Sequence, residues 1–213
     1  MIKKNKITLL FTTLVILLPM AAGLLLWSRL PEQIPSHWGI NGQVDGWSSK
    51  TFAVFGFPGL LAAIHWLCVL ASSADPKSKD YHPTMIRLVL WICPVISLVC
   101  NTLVYAAALG HTLNVPIIMC LIVGLMFIIV GNLLPKCRQS YTMGIKLPWT
   151  LANEDNWNKT HRFGGKLWVL GGVITLATAF FGNFWILLGI LIVMVAAPTI
   201  YSYCLYRKQN SQE

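Results

Sequence analysis

Residues 144–172 carry the sequence GIKLPWTLANEDNWNKTHRFGGKLWVLGG, the longest stretch of the chain that is neither plainly apolar nor plainly a linker. The residue before Pro148 is pushed out of the helical region, so the backbone should enter Trp149 extended, with Trp149 as an interface anchor. Asn153 can then cap a short helix whose first turn carries Glu154 and Asp155, since the positive end of a helix favours carboxylates. Gly164-Gly165 would allow a bend. The residues favour an amphipathic connector lying on the membrane surface.

Two pairs of side chains in this stretch are spaced for contact along a helix. Asp155 and Lys159 are four residues apart, and so are Trp157 and His161. Residues at this spacing are neighbours on a helix surface. We therefore expect an ion pair on one face and a Trp-His contact on a neighbouring face.

The composition of the whole chain is that of a polytopic membrane protein. Of the 213 residues, 56% are hydrophobic and 11% are charged, and such values are too apolar for a soluble domain. The net charge of +9 comes from basic residues that lie between apolar runs. Nucleic-acid binding would need them gathered on one soluble face, so direct nucleic-acid binding is not expected.

Six apolar runs predict an all-α protein with six transmembrane helices. The first run follows three lysines and is too long for the apolar region of a signal peptide, which favours an uncleaved span. Gly182 and Asn183 suggest a tight turn before the last span. We expect an N-terminal two-span module over residues 1–84 and a four-span module over 85–213. The six runs cover about residues 7–27, 52–71, 85–108, 115–134, 165–181 and 184–206.

The distribution of lysine and arginine predicts the orientation. With the N-terminus inside, 14 of the 16 basic residues fall in cytoplasmic segments, and only Arg29 and Lys50 face outward. Cytoplasmic loops carry the excess of basic residues. Both termini should therefore be cytoplasmic in a bacterial cell membrane, with loop 28–51 extracellular and loop 135–164 cytoplasmic. The net charge of +9 is then explained by this topology, with lipid headgroups as the anionic partner of the basic residues.

The loop 28–51 should be an ordered segment outside the bilayer. Asn41-Gly42 and Asp45-Gly46 predict tight turns, and Trp38 and Trp47 suit the headgroup level. One histidine, His37, and one carboxylate, Asp45, make a poor metal site without further ligands. The six cysteines show no C-x-x-C spacing, so neither a metal site nor a disulfide framework is expected. No cofactor is expected either.

The spans lack the charges that coupled transport usually requires. None of the six contains Asp or Glu, whereas an ion-coupled transporter needs a group that binds and releases the coupling ion. His65 is interpreted as a neutral imidazole bonded across helices, with Asn132 as a candidate partner. Small residues repeat at seven residues, at 124 and 131, 165 and 172, and 189 and 196, which favours close helix packing.

The same stretch also supplies the residue types of an enzyme. Glu154, Asp155 and His161 could serve acid-base chemistry, with Thr150 or Cys137 as nucleophile. His161 lies seven residues past Glu154, so the two could share a face but would stand two turns apart. A catalytic role is therefore not expected.

The motifs resemble those of a known family. GIKLPWTLANEDNWNKTHRFGGKLW is similar to the signature of the SdpI-type immunity proteins, with its Pro-Trp-Thr-Leu, acidic residue, Trp and Thr-His-Arg elements. The outer loop LPEQIPSHWGINGQVDGWSSK resembles an uncharacterised N-terminal module often fused to that family. Two positions depart from the pattern: Lys146, where arginine is commoner, and Ser140, where asparagine is expected.

The resemblance implies an integral membrane protein that protects its cell from a secreted, membrane-active peptide toxin. It further implies a possible receptor role, in which an ArsR-like transcriptional repressor is held at the membrane. The outer loop would meet the toxin through His37, Trp38, Asp45, Gly46 and Trp47. The cytoplasmic signature, a partner-binding hypothesis, comprises Gly144, Lys146, Pro148, Trp149, Thr150, Glu154, Trp157, Thr160, His161, Arg162 and Gly165.

Two alternatives remain open beside immunity. One is a small-molecule exporter, since six spans suit that role. The other is a membrane-embedded enzyme that uses the Glu154 and His161 loop.

Overall fold

The computed structural model describes residues 2–181 and 184–210. Within them, six helices are long and apolar enough to cross a membrane, which confirms the predicted all-α fold with six spans. The turn predicted at Gly182 and Asn183 lies outside the described residues. The helices are α1 (Lys6–Leu25), α2 (Phe57–Ala74, preceded by a π-helical segment Phe52–Gly56), α3 (Pro83–Ala108), α4 (Val115–Leu133), the short α5 (Pro148–Ala152), α6 (Glu154–Thr178) and α7 (Phe184–Asn210).

Large apolar side chains on the outer faces of these helices are exposed. Ile7 and Leu25 on α1, Leu67 on α2 and Val195 on α7 are all more than half exposed. Helices satisfy their own backbone hydrogen bonds, so such faces are stable in lipid. The chain is a multi-pass membrane protein whose exposed apolar surface suits the bilayer.

The first compact unit comprises residues 1–73 and 86–116. It holds α1, α2, α3 and a β-hairpin of strands β1 (Gln33–Trp38) and β2 (Val44–Ser49). Polar side chains of α3 bond to α1: Ser97 donates to the carbonyl of Ile16 at 2.8 Å, and Tyr105 donates to that of Pro19 at 3.0 Å. These bonds tie the two helices together inside the apolar interior.

His65 is bonded across helices, as predicted, but its partner is a different residue. Its Nε2 lies 3.2 Å from the hydroxyl of Thr12 on α1. The Thr12 hydroxyl itself donates to the carbonyl of Leu9, so it accepts from His65. The amide of Asn132 instead donates to the carbonyl of Ile128 in its own helix at 2.9 Å, and the predicted pairing is wrong.

The second compact unit comprises residues 74–85 and 117–213. Its helices α4 and α6 meet backbone to backbone, because glycines face each other at two levels. A Cβ added at Gly172 would lie 2.6 Å from the carbonyl oxygen of Gly124, and one at Gly165 would lie 2.7 Å from that of Gly131. This confirms the close packing predicted from the seven-residue spacing on α4 and α6. On α7 the prediction is wrong at Gly189, where an added Cβ would meet nothing within 4 Å.

Helix α6 runs without interruption from Glu154 to Thr178, so the predicted bend at Gly164-Gly165 is wrong. Both glycines are buried, and a Cβ at Gly164 would lie 2.9 Å from the side chain of Ile145. The glycines are needed for close packing rather than for flexibility. The connector predicted over residues 144–172 instead comprises a loop, the short α5 and most of α6, and α6 is long and apolar enough to cross a membrane.

The third helix belongs to the first compact unit, together with α1 and α2. The division of the chain into modules 1–84 and 85–213, which the sequence motifs indicated, stays a prediction.

Candidate functional sites

The first candidate site is the hairpin of residues 33–49. Strands β1 and β2 pair antiparallel, with Pro35 opposite Trp47 and Trp38 opposite Val44. The predicted Asn41-Gly42 turn is present: Gly42 has a φ of 77°, and the amide oxygen of Asn41 accepts from the N–H of Gln43 at 3.1 Å.

The turn predicted at Asp45-Gly46 is absent, since both residues lie within β2. Gly46 pairs with His37 where the register shifts, and a Cβ at residue 46 would lie 2.8 Å from that of His37. The glycine therefore permits close cross-strand contact at an irregular position of the sheet.

His37 and Asp45 form a contact across the hairpin. The Nδ1 atom of His37 lies 2.5 Å from Oδ1 of Asp45, and both side chains are exposed. Among the described residues, no group of three or more histidines, cysteines or carboxylates is placed to hold a metal ion. The pair is a polar contact on the surface of the hairpin, and an exposed pair of this kind adds little stability.

Apolar side chains are also exposed on the hairpin. Ile40 is 67% exposed and Trp47 is 58% exposed, whereas Trp38 is half-buried. A large aromatic body with a polar N–H suits either the headgroup level of a bilayer or a protein partner. The hairpin thus presents Trp47 and Ile40 beside the His37–Asp45 pair.

The base of the hairpin is fixed by Lys50, which the sequence identified only as an outward-facing charge. Its ammonium group lies 2.8 Å from the carboxylate of Glu32, donates to the carbonyl of Trp27 at 3.3 Å, and stands 5.0 Å from the centre of the Trp27 ring. Lys50 is buried. It connects the ends of both strands to the residues that follow α1.

The second candidate site is the signature segment of residues 137–165, and Trp157 and His161 form its centre. Their rings stack with centroids 4.0 Å apart, and both side chains are buried. The indole N–H of Trp157 donates to the carbonyl of Cys137 at 2.8 Å. The predicted contact between these two residues is confirmed, and it ties α6 to the segment that follows α4.

Both ring nitrogens of His161 are used within the protein. The backbone N–H of Ile145 donates to Nε2 at 2.9 Å. Nε2 therefore carries no proton, and Nδ1 donates its proton to the carbonyl of Trp157 at 2.8 Å. Gly144, next to Ile145, has a φ of 104°, which glycine tolerates and other residues rarely adopt.

Thr150, in α5, forms hydrogen bonds with the loop that precedes this helix. Its hydroxyl accepts from the N–H of Leu147 at 2.9 Å and is placed to donate to the carbonyls of Ile145 and Leu147 at 2.9 and 3.0 Å. Leu147 has the extended backbone predicted before Pro148, but α5 begins at Pro148, so the extended segment ends before Trp149. A proline suits the first turn of a helix, where its missing N–H has no partner to lose.

Other signature residues pack on α7. The side-chain amide of Asn156 donates to the carbonyl of Ser202 at 3.0 Å, and Thr160 donates to the amide oxygen of Asn156 at 3.0 Å. The indole of Trp149 donates to the hydroxyl of Ser202 at 2.9 Å and stacks with Tyr206. Trp149, predicted as an interface anchor, is therefore packed against a neighbouring helix.

The local contacts that residue spacing predicted at the start of α6 are present. The side chain of Asn153 accepts from the N–H of Asn156 at 2.9 Å, which confirms the predicted cap. Lys159 pairs with Asp155 at 2.7 Å. Glu154 and Arg162 are exposed, as is Lys146, whose ammonium donates to the carbonyl of Thr142 at 3.2 Å.

A buried carboxylate that sequence reasoning missed holds the loop before α5 to the loop between α2 and α3. The Oδ2 atom of Asp75 accepts from the hydroxyl of Tyr81 at 2.7 Å and from the N–H groups of Tyr141 and Thr142 at 2.8 and 3.0 Å. Burial alone would raise the pKa of Asp75, but these hydrogen bonds outweigh it and lower the pKa. The carboxylate therefore stays charged in this position.

The arrangement does not suit acid-base or nucleophilic catalysis. Neither nitrogen of His161 is available to a substrate, because both are bonded within the fold. Cys137 is buried, and burial raises the pKa of its thiol to about 11, so the reactive thiolate is scarce at neutral pH. The signature builds a packed scaffold, with exposed charges at its edge.

Comparison with known proteins gives two matches to family models and one curated relative. Residues 136–202 match the SdpI/YfhL protein family, and residues 14–62 match a domain of unknown function, DUF1648. The chain is 30% identical over 213 residues to "Immunity protein SdpI" of Bacillus subtilis (strain 168), covering 98% of both chains. No solved structure matches the chain.

Proposed function

The chain belongs to the SdpI family of membrane immunity proteins, and from this we propose that it protects its cell by meeting a secreted peptide toxin through the hairpin of residues 33–49. Homology along nearly the whole chain supports an immunity function without enzymatic chemistry. The proposal has two parts: the toxin is a membrane-active peptide, and the hairpin is the surface that binds it.

The observation that carries the proposal is the exposed apolar surface of the hairpin. The signature segment uses Trp157, His161 and Thr150 for internal contacts, which leaves few of its side chains to bind a partner. The hairpin instead exposes Trp47 and Ile40. Aromatic residues are enriched at binding interfaces because they bury a large area at low cost in conformational entropy.

The His37–Asp45 pair would give this surface its polar contacts. A membrane-active peptide carries an apolar face and polar or charged groups, and exposed Trp47 lies on the same strand as Asp45. We expect the indole to bury against the apolar face of the peptide while the pair contacts its polar edge.

Orientation is part of the same proposal. The 14 basic residues assigned to cytoplasmic segments favour a hairpin outside the cell and both termini inside. A peptide epitope inserted between Asn41 and Gly42 should be accessible to antibody on intact cells, and one at the C-terminus should become accessible only after permeabilisation. Accessibility of both epitopes on intact cells would contradict this orientation.

The repressor partner implied by the family resemblance remains a prediction. The exposed signature residues Lys146, Glu154 and Arg162 are those we would vary first to seek such a partner at the cytoplasmic face.

The test of toxin binding is a protection assay in cells that lack their own immunity protein. These cells would express the chain and be challenged with the secreted peptide fraction of its host. Trp47→Ala should reduce protection at an unchanged level in the membrane, and Asp45→Asn should reduce it less. Phe180→Ala, at an exposed aromatic residue outside the hairpin, is the control. Full protection by Trp47→Ala would contradict the claim that the hairpin binds the toxin. No protection by the unaltered chain would contradict the claim that it acts against a secreted peptide of this fraction.

A further inference from the structure

A groove of about 440 Å³ lies between α4 and α6 in the second compact unit. Gly131 and Gly165, where the two helices touch, are part of its lining. Since glycine carries no side chain, the backbones form the floor of the groove and the neighbouring side chains form its walls. The rest of the lining comprises Asn132, Pro135, Lys166, Val169, Leu170 and Val173.

The groove has an apolar end and a basic end. Val169, Leu170 and Val173 line one end, and Leu170 and Val173 are about half exposed. Lys166 and the amide of Asn132 line the other end. From residue 166 to residue 173 the groove runs about 10 Å along α6, at 1.5 Å per residue.

The basic end of the groove carries the charge of Lys166. Lys166 has no ion pair with any described residue. The acidic residues of α6, Glu154 and Asp155, lie at its start, about 16 Å or more from residue 166 along the helix axis. Arg162 lies one turn before Lys166 on the same face, and it is exposed as well.

We propose that this groove is a binding site for an anionic phospholipid, with the phosphate at Lys166 and the upper part of an acyl chain along Val169, Leu170 and Val173. Charge complementarity and apolar walls at the edge of two membrane-spanning helices support this occupant. Basic pockets between transmembrane helices bind anionic headgroups in this way. A zwitterionic lipid would offer the same acyl chain but no net charge to match Lys166.

The experiment measures lipid binding by native mass spectrometry on the purified, delipidated full-length protein in detergent. Phosphatidylglycerol is titrated against phosphatidylcholine with the same acyl chains, and glycerol 3-phosphate supplies the headgroup phosphate without a chain. We expect preferential binding of phosphatidylglycerol. Lys166→Gln should weaken that binding about fivefold, the loss expected for one cation near an anionic headgroup. Val173→Phe should weaken both lipids by filling the apolar end.

Lys159→Gln is the matched control, because Lys159 lies on the same helix but is paired with Asp155 outside the groove. It should bind phosphatidylglycerol as the unaltered protein does. Three results would overturn the proposal: equal binding of the two lipids, unchanged phosphatidylglycerol binding by Lys166→Gln, or equally tight binding of glycerol 3-phosphate. A lipid-independent dimer abolished by Val173→Phe would assign the groove to a second copy of the chain instead.

Discussion

Gly144 lies so close to His161 that a Cβ at residue 144 would stand 2.5 Å from Nε2 of the imidazole. That nitrogen accepts the hydrogen bond from the N–H of Ile145. The loop therefore reaches its place against α6 only because residue 144 has no side chain and accepts a φ of 104°.

We expect Gly144→Ala to destabilise the second compact unit strongly. It combines an unfavourable backbone conformation, about 1 kcal/mol or more, with a clash that displaces either the loop or the ring. Gly110→Ala is the control, because Gly110 has a similar φ of 88° but open space around its Cβ position. Thermal unfolding in detergent should show a clearly larger loss for Gly144→Ala. Equal losses would mean that the contact with His161 adds nothing.

Asp75→Asn should lower stability near neutral pH by about 2 kcal/mol or more, since hydrogen bonds to a charged acceptor are each worth about 1.5–3 kcal/mol. The folded protein holds the pKa of Asp75 below its ordinary value of 3.8. Its contribution is therefore complete above that value and is lost as the pH falls through the lower, folded pKa. Unfolding curves of the unaltered protein and Asp75→Asn should converge in acid. Asp80→Asn, at an exposed position in the same loop, should change little at any pH.

Tyr81→Phe should alter stability on the alkaline side. Burial, with the neighbouring Asp75, raises the pKa of Tyr81 from 10.0 to about 12. The protonated phenol is thus favoured in the folded state, and its contribution is complete below pH 10.0 and is lost as the pH rises toward 12. Midpoints of unfolding measured between these limits should fall more steeply for the unaltered protein than for Tyr81→Phe. Parallel curves would contradict the raised pKa of Tyr81 in the folded protein. Tyr141→Phe, at an exposed ring, is the control.

Lys50→Met should loosen the hairpin from α1. Methionine keeps much of the apolar stem of lysine but loses the contacts with Glu32 and with the carbonyl of Trp27. We expect a loss of about 1–2 kcal/mol in thermal unfolding, together with faster proteolysis between residues 39 and 43. Lys159→Met removes an exposed pair on α6 and should cost less than 1 kcal/mol. A loss no larger than that of the control would show that Lys50 does not fix the hairpin.

Local features of this chain could be predicted because their causes lie within one or two turns of helix. The cap at Asn153, the Asp155–Lys159 pair and the Trp157–His161 contact all follow from spacing. The six spans follow from hydropathy. The glycine spacing also indicated close helix packing, since small residues at one face permit it whatever the partner.

Contacts between distant segments could not be predicted in the same way. Asp75 meets Thr142 and Lys50 meets Trp27 across long stretches of chain, and no local pattern indicates which loop a carboxylate or ammonium will reach. The bend predicted at Gly164-Gly165 was wrong for a related reason. A glycine pair has the same sequence whether it forms a hinge or allows two helices to cross closely. Only the neighbouring Ile145 and Gly131 decide between the two.

The two glycine crossings of α4 and α6 limit the kinds of movement open to this helix pair. At each crossing a carbonyl oxygen of α4 occupies the space that a side chain on α6 would need, 2.6 Å from the Cβ position at Gly172 and 2.7 Å from that at Gly165. A displacement of one helix at either crossing therefore cannot be absorbed by a change of side-chain rotamer, because no side chain lies between the two backbones.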